Sequence, residues 1–120
     1  MSDILKELEE IARCRKEEHE EGSYTAYLYD KGLDKVLKKL GEEAAETIIA
    51  AKNLEACGNA NLDLCEKKEE LTGEVGDLLY HLVIMLDQLN VEVDEIADLL
   101  RLRMNKTKNL KDYSQFKENS

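Results

Sequence analysis

The recurrence of apolar residues at intervals of three and four is the feature that most restricts what this chain can fold into. Leu37, Leu40, Ala44 and Ile48 follow this spacing in one stretch, and similar stretches occur from near the start to about residue 104. No proline interrupts them, so Gly, Asn and Ser mark their ends. No stretch alternates apolar and polar residues as a half-buried strand would. The sequence therefore predicts an all-α protein.

Five helices are predicted, over residues of about 3–19, 24–30, 33–56, 64–89 and 94–104. Ser23 is the expected N-cap of the second helix, Gly32 ends it, Gly58 caps the third, and Asn90 stops the fourth. The two long helices, joined by a loop at 58–62, predict an antiparallel bundle. We expect a single domain over 1–104, followed by a polar C-terminal tail over 105–120.

The core is expected to form along the apolar stripes of the two long helices. These stripes comprise Leu37, Leu40, Ala44, Ile48 and Ala51 on the third helix, and Leu71, Leu78, Leu82, Met85 and Leu89 on the fourth. Between Val75 and Leu89 the fourth helix is apolar nearly all round. Asp77 and His81 are therefore expected to be buried, where an unpaired carboxylate is costly.

Charge and composition exclude several classes of function. Acidic residues exceed basic ones by 27 − 17 = 10, which is the wrong sign for binding nucleic acid phosphates. The longest apolar run, Leu78 to Leu86, is too short to span a membrane. The acidic start does not resemble a signal peptide, so we expect a cytoplasmic location. The three cysteines, Cys14, Cys57 and Cys65, lack a C-x-x-C spacing and are interpreted as free thiols.

Carboxylates occur at unusual positions on both long helices. Glu42, Glu43 and Glu46 project from one sector of the third helix, and Glu74 and Asp77 form an i, i+3 pair on the fourth. A helical hairpin can bring these two groups face to face, where a cation would neutralise their repulsion. An all-oxygen ligand set favours a hard divalent ion, Mg²⁺ or alternatively Mn²⁺.

Other interpretations of these residues stay open at this point. The glutamates of the third helix could be an ordinary solvated face paired with Lys35, Lys38 and Lys39. His81 is expected to be a neutral core histidine, or a group that orients Asp77, rather than a metal ligand. The tyrosines of the second helix could stack on a base, but we expect them to pack in the core: Tyr24, Tyr27 and Tyr29.

Three segments together resemble the phosphoribosyl-ATP pyrophosphohydrolase family. They are SYTAYL at 23–28, KGLDKVLKKLGEEAAETIIAAKN at 31–53 and EVGDLLYH at 74–81. This family belongs to the all-α nucleoside triphosphate pyrophosphatases of the MazG-like superfamily, whose signature is E-E-x-x-E followed by E-x-x-D. The resemblance covers roughly residues 20 to 100. The sequence departs from it at Tyr27, where a lysine is common, at Gly76 and after Leu102.

The resemblance implies Mg²⁺-dependent hydrolysis of the α–β phosphoanhydride of phosphoribosyl-ATP to phosphoribosyl-AMP and pyrophosphate, the second step of histidine biosynthesis. It also implies a homodimer. The matching metal ligands are Glu43, Glu46, Glu74 and Asp77, and Glu42 matches an adjacent carboxylate that is available as a ligand or as the base that activates water.

Substrate contacts are predicted from the side of the third helix that carries Glu42 and Glu46. The candidates are Lys35, Lys39 and Asn53, with Lys52 and Arg101 as weaker ones. The chain lacks the glycine-rich phosphate loop of a γ-directed ATPase. The alternatives are a MazG-like house-cleaning enzyme that hydrolyses free (d)NTPs at the same site, and a non-enzymatic helical adaptor.

Overall fold

A computed structural model of the chain describes residues 2–18, 22–57 and 64–107. These residues form five helices: α1 (Ser2–Glu18), α2 (Tyr24–Lys31), α3 (Leu33–Cys57), α4 (Leu64–Gln88) and α5 (Val93–Thr107). The prediction of an all-α fold built on two long helices is confirmed. The loop predicted at 58–62, with its cap at Gly58, and the predicted end of the first helix at His19 lie outside the described residues.

The ends of α2 and α4 follow from local backbone chemistry. The Ser23 hydroxyl accepts a hydrogen bond from the Ala26 N–H at 3.2 Å, and Gly32, at φ 90°, donates its N–H to the Leu28 carbonyl at 3.0 Å. A residue with a side chain rarely adopts the Gly32 conformation. Asn90 ends α4 at φ 59°, in the left-handed region that asparagine tolerates best among non-glycine residues. All three predicted caps are confirmed.

The buried core lies at one end of the long hairpin. It is formed by one residue from each of the first four helices, namely Ala12, Leu28, Val36 and Ile84, with Tyr29, Tyr80 and Met85 packed against it. Val36 lies near the start of α3 and Ile84 near the end of α4, which is consistent with antiparallel helices. The short helices α1 and α2 therefore cover only this end of the α3–α4 pair.

Of the five residues in the predicted apolar stripe of α3, Leu40 is partly buried and the other four do not pack in the core, so the expectation was wrong for those four. Leu37, Ala44, Ile48 and Ala51 are exposed, and Ile48 and Ile49 retain 65% and 59% of their accessible surface. The buried residues of α3 are instead Val36, Glu43 and Ala50, which are spaced by seven. Helical periodicity identifies an apolar face but not the element that covers it, and α4 packs on a different face.

Helix α5 packs against α1 through a buried carboxylate. Glu9 is buried, and its Oε2 accepts a hydrogen bond from the Val93 N–H, at the start of α5, at 2.8 Å. Lys6 donates to Asp94 Oδ2 at 2.9 Å beside it. The helix continues to Thr107, into the segment predicted as a tail from residue 105, and residues 108–120 lie outside the described ranges. No helix among the residues that the structure describes is long and apolar enough to span a membrane.

Candidate metal centre

Three carboxylates from α3 and α4 converge midway along the hairpin. One oxygen from each of Glu43, Glu46 and Glu74 lies within 4.8 Å of the other two. Glu43 and Glu46 are one turn apart on α3, and Glu74 faces them from α4. Glu43 is buried, Glu74 is partly buried and Glu46 is exposed, so the site is open on one side. We call these three residues the carboxylate cluster.

The carboxylate cluster is electrostatically unsatisfied. The Oε2 atoms of Glu43 and Glu74 are buried and have no hydrogen-bond partner. The pKa of Glu74 is raised from 4.5 to about 7, chiefly by a hydrogen bond with Glu46, and further by burial and the negative charges of Glu46 and Glu43. Buried carboxylate oxygens in close proximity need a counter-charge. Three converging carboxylates therefore fit a hard divalent cation such as Mg²⁺ or Mn²⁺.

Asp77, the fourth predicted ligand, does not join this group among the described residues. Its side chain is exposed, so the expectation that it would be buried was wrong. The helices α1 and α2 contact α4 through Tyr80, His81 and Asp87, and no residue of α4 before His81 is buried. The apolar surroundings expected for Asp77 are therefore missing. Its role as a ligand stays a prediction.

The other predicted site residues are distributed along α3 and α5. Glu42 is exposed, and its Oε2 lies 3.5 Å from Lys39 Nζ. The pKa of Lys39 is raised, first by the charge of Glu42 and also by Tyr24 and Glu43, so this lysine adjoins the carboxylate cluster. Of the remaining candidates, Lys35 is partly buried and Asn53 is exposed. Lys52 forms an ion pair with Glu55. Arg101 lies 3.3 Å from Asp98.

His81 connects the carboxylate cluster to α2. It is buried, with 4% of its surface exposed, as predicted. Its Nδ1 donates to the Asp77 backbone carbonyl at 2.8 Å, and its Nε2 accepts from the Tyr24 hydroxyl at 2.9 Å. The Nδ1 atom lies 3.8 Å from Glu43 Oε1. His81 therefore bonds to the Asp77 main chain, and its ring edge faces a carboxylate of the cluster.

The tyrosines of α2 divide into two groups. Tyr29 packs against the core and donates its hydroxyl to Asp87 Oδ2 at 2.6 Å, as expected. Tyr24 and Tyr27 are instead 45% and 42% exposed, so they do not fill the core. Their rings stack with centroids 6.1 Å apart, and Tyr24 stacks on Tyr80 at 6.2 Å. Burial of part of the Tyr24 side chain raises its pKa, and the charge of Lys39 opposes this effect.

Two buried carboxylates, Glu9 and Asp87, were not predicted from the sequence. Asp87 is buried beneath Arg13, whose Nε donates to its Oδ1 at 3.1 Å, and Lys16 lies 3.8 Å from its Oδ2. The available signal was the register of α4, since Asp87 lies one turn after the buried Ile84. The partners of Asp87 come from α1 and α2, which lie 58 or more residues earlier in the chain, so local pattern could not identify them.

Comparison with known proteins identifies the same enzyme family through a family model and through individual relatives. The sequence model of the family described as "Phosphoribosyl-ATP pyrophosphohydrolase" matches residues 5–104. The chain is 45% identical to the phosphoribosyl-ATP pyrophosphatase of Streptococcus sanguinis over 109 residues, which covers 91% of this chain and 93% of that protein. It is 43% identical to the enzyme of the same name from Listeria monocytogenes over 115 residues, or 96% and 99% of the two chains.

A longer relative contains the same unit. The chain is 44% identical to the histidine biosynthesis bifunctional protein HisIE of Bacillus subtilis over 100 residues. This region covers 83% of the present chain but only 42% of that protein. The residues that the family model matches, 5–104, include both helices that supply the carboxylate cluster.

Proposed function

Because the chain belongs to the phosphoribosyl-ATP pyrophosphohydrolase family, we propose that it hydrolyses phosphoribosyl-ATP to phosphoribosyl-AMP and pyrophosphate, the second step of histidine biosynthesis. The observation that carries this proposal is the carboxylate cluster, with its unpartnered buried oxygens on Glu43 and Glu74. A set of oxygens that requires a divalent cation is well suited to binding a triphosphate. The (d)NTP pyrophosphatase and the helical adaptor are the alternatives that the experiment below separates.

Glu43, Glu46 and Glu74 would hold the cation, and Asp77 is an additional ligand in this proposal. When bound, Mg²⁺ would neutralise the charge of the phosphate oxygens and lower the pKa of a water molecule that it coordinates. Rigid helices fix Glu43 and Glu74, because Glu43 is buried and Glu74 faces it from the opposite helix. The protein thereby contributes a preorganised anionic cage before the substrate arrives.

Glu42 and Lys39 occupy the rim of this cage. We propose that Glu42 accepts the proton of the attacking water, since its exposed carboxylate is one residue from the buried ligand Glu43. Lys39, 3.5 Å from Glu42, offers positive charge to the phosphates. Such local charge matters because the chain as a whole carries −10 and repels a polyphosphate. Lys35, Lys52 and Asn53 are the further contacts proposed for the substrate.

The decisive experiment is product analysis by phosphorus NMR with phosphoribosyl-ATP and Mg²⁺. We expect pyrophosphate to be released in one piece. When the reaction is run in ¹⁸O-labelled water, attack at the α phosphorus should place the label in phosphoribosyl-AMP, and attack at the β phosphorus should place it in pyrophosphate. Orthophosphate as the primary product would contradict the proposal. Faster turnover of dNTPs than of phosphoribosyl-ATP would favour the house-cleaning activity. No turnover of any of these substrates, with or without Mg²⁺, would favour the adaptor.

We also propose that the enzyme is a homodimer and that it works in the cytoplasm, because its substrate is an ATP derivative. Support for the dimer comes from apolar side chains that the described part of one chain leaves uncovered. Ile48 and Ile49 on α3 and Leu102 and Met104 on α5 are all more than half exposed. A monomer seldom leaves so many large apolar side chains in water without a partner surface.

A further inference from the structure

Two half-exposed aromatic rings lie beside the carboxylate cluster, and the reaction proposed above gives them no role. Tyr24 and Tyr27, which we call the tyrosine pair, stack with an interplanar angle of 24°. The Tyr24 hydroxyl is fixed on His81, and the His81 ring lies 3.8 Å from Glu43. The pair is therefore linked to the cluster through Tyr24 and His81, and Tyr27 contacts Tyr24.

A lysine lies at each end of the tyrosine pair. Lys39 interacts electrostatically with Tyr24, Glu42 and Glu43 at the end near the carboxylate cluster. At the other end, Lys31 Nζ is 5.8 Å from the centroid of the Tyr27 ring. The order along this surface is therefore carboxylate cluster, Lys39, Tyr24, Tyr27 and Lys31. Aromatic rings with a cation at each end are suited to bind a flat ring that has a negatively charged group attached on each of two sides.

Phosphoribosyl-ATP has this distribution of chemical groups. A triphosphate is attached to one side of its purine through a ribose, and a phosphoribosyl group on the purine places a single phosphate on the other side. ATP and other free nucleotides have only the triphosphate end. A cation on the side of the aromatic rings away from the metal ligands could bind the second phosphate of phosphoribosyl-ATP. Free nucleotides lack this phosphate, so the cation would favour phosphoribosyl-ATP over them.

We propose that the tyrosine pair binds the purine ring of the substrate and that Lys31 binds the phosphate of its phosphoribosyl group. This inference rests on the proposed function and names the residues that give it specificity. The triphosphate then lies toward the carboxylate cluster and Lys39. Tyr24 is held in place by its bond to His81, so the platform is formed before the substrate binds.

The test compares phosphoribosyl-AMP and AMP as competitive inhibitors of phosphoribosyl-ATP hydrolysis. In Lys31→Ala we expect the inhibition constant of phosphoribosyl-AMP to rise about tenfold, as for loss of a hydrogen bond to a charged group, while that of AMP does not change. Lys31→Arg should restore the wild-type ratio. Lys68→Ala on the exposed side of α4 is the matched control, and neither constant should change.

A second pair of variants tests the ring. Tyr27→Ala should weaken both inhibitors about tenfold, since stacking does not depend on the second phosphate, and Tyr27→Phe should retain wild-type binding. Equal weakening of both inhibitors in Lys31→Ala, or unchanged binding in Tyr27→Ala, would overturn the inference. If the wild type does not hydrolyse phosphoribosyl-ATP, the proposed function itself fails. An active wild type with unchanged variants refutes only the assignment of this surface.

Discussion

Glu74 is the residue whose protonation would link the proposed metal binding to pH. Its raised pKa, about 7, reflects a proton shared with Glu46 next to a second carboxylate, Glu43. In the metal-free chain the folded-state pKa exceeds the ordinary value of 4.5. The stability that this proton contributes is fully present below pH 4.5 and is lost as the pH rises through about 7. A cation removes the need for the proton, because it replaces one positive charge with two.

Metal binding should therefore release protons in a way that depends on Glu74. With a pKa of about 7, roughly nine-tenths of the Glu74 carboxyls are protonated at pH 6, so Mg²⁺ or Mn²⁺ should bind more weakly there than at pH 8. Calorimetric titration in two buffers of different ionisation enthalpy would measure the number of protons released. In Glu74→Gln the release should largely disappear. A wild-type release of zero at pH 6 would show that the ion binds away from Glu74.

A comparison of Glu46→Gln with Asp77→Asn separates the role of the converging carboxylates from that of the proposed fourth ligand. Glu46→Gln should reduce activity by at least about a hundredfold and abolish most Mg²⁺ binding, since it removes one of three converging carboxylates. It should also raise the melting temperature without metal, because it removes a repelling charge. Metal titration and thermal melts would measure both effects.

Asp77→Asn provides the informative contrast. If its exposed carboxylate joins the metal site, we expect the same loss of activity but no change in metal-free melting temperature, because the side chain is not in the repelling group. Full activity in Asp77→Asn would remove Asp77 from the ligand set and leave the other three. Full activity in Glu46→Gln would contradict the site as a whole.

The carboxylates of the cluster could be predicted from the sequence, because acidic residues within an apolar helical pattern can be recognised in a segment of only a few residues. Glu43, Glu46 and Glu74 were found in this way, and the hairpin brings them together. The exposure of Asp77 could not be predicted, since it depends on how far α1 and α2 extend along α4. The contact between Tyr24 and His81 was also inaccessible, because it joins residues 57 positions apart.

At the scale of helices, α2 is held against α4 mainly by side-chain hydrogen bonds. Tyr24 bonds to His81, Thr25 bonds to Tyr80, and Tyr29 bonds to Asp87. An eight-residue helix has little stability alone, so these contacts and the burial of Leu28 keep it folded. The position of the tyrosine pair beside the carboxylate cluster depends on this attachment.

Asp87 is the residue on which this attachment depends most, because it joins α1, α2 and α4. Asp87→Asn should destabilise the protein by about 2–3 kcal/mol, since it removes a buried charge that pairs with Lys16 and Arg13 and leaves Arg13 only its longer contact with Glu9. Tyr29→Phe should cost about 1 kcal/mol, the value of one hydrogen bond. Urea denaturation would measure both differences.

The control for this prediction is Asp98→Asn on α5, whose ion pair with Arg101 is exposed to water. It should cause no measurable change in the free energy of unfolding, because exposed pairs contribute little. An Asp87→Asn variant as stable as this control would mean that apolar packing alone holds the helices together.

Helix boundaries were predicted well at three of the predicted cap residues, those that lie within the described part of the chain. Ser23, Gly32 and Asn90 signal their roles through side-chain or backbone chemistry that acts within four residues. The buried face of α3 was predicted incorrectly, because its most apolar side is not the side that contacts α4. Periodicity alone ranks faces by hydrophobicity, whereas the partner of each face is a property of the assembled molecule.

At the scale of the whole molecule, the uncovered apolar faces of α3 and α5 are the main unexplained surface of the single chain. On α3, Ile48 and Ile49 are exposed although they lie within three residues of Glu46, a member of the carboxylate cluster. On α5, Leu99, Leu102 and Met104 are exposed as well. This distribution is expected if a second copy of the chain covers both faces.

The oligomeric state gives the corresponding prediction. The wild type should elute with a mass twice the 13.7 kDa of one chain in size-exclusion chromatography with light scattering. Ile48→Glu should shift it to the single-chain mass, because a carboxylate in an apolar interface loses its hydration without gaining a partner. The helical circular dichroism should persist, since Ile48 contributes nothing to the buried core of one chain. Lys68→Glu, at another exposed site, on α4 and outside this surface, should leave the dimer intact. A wild type that is monomeric at every concentration tested, or an Ile48→Glu variant that remains a dimer, would show that these faces are not the contact between subunits.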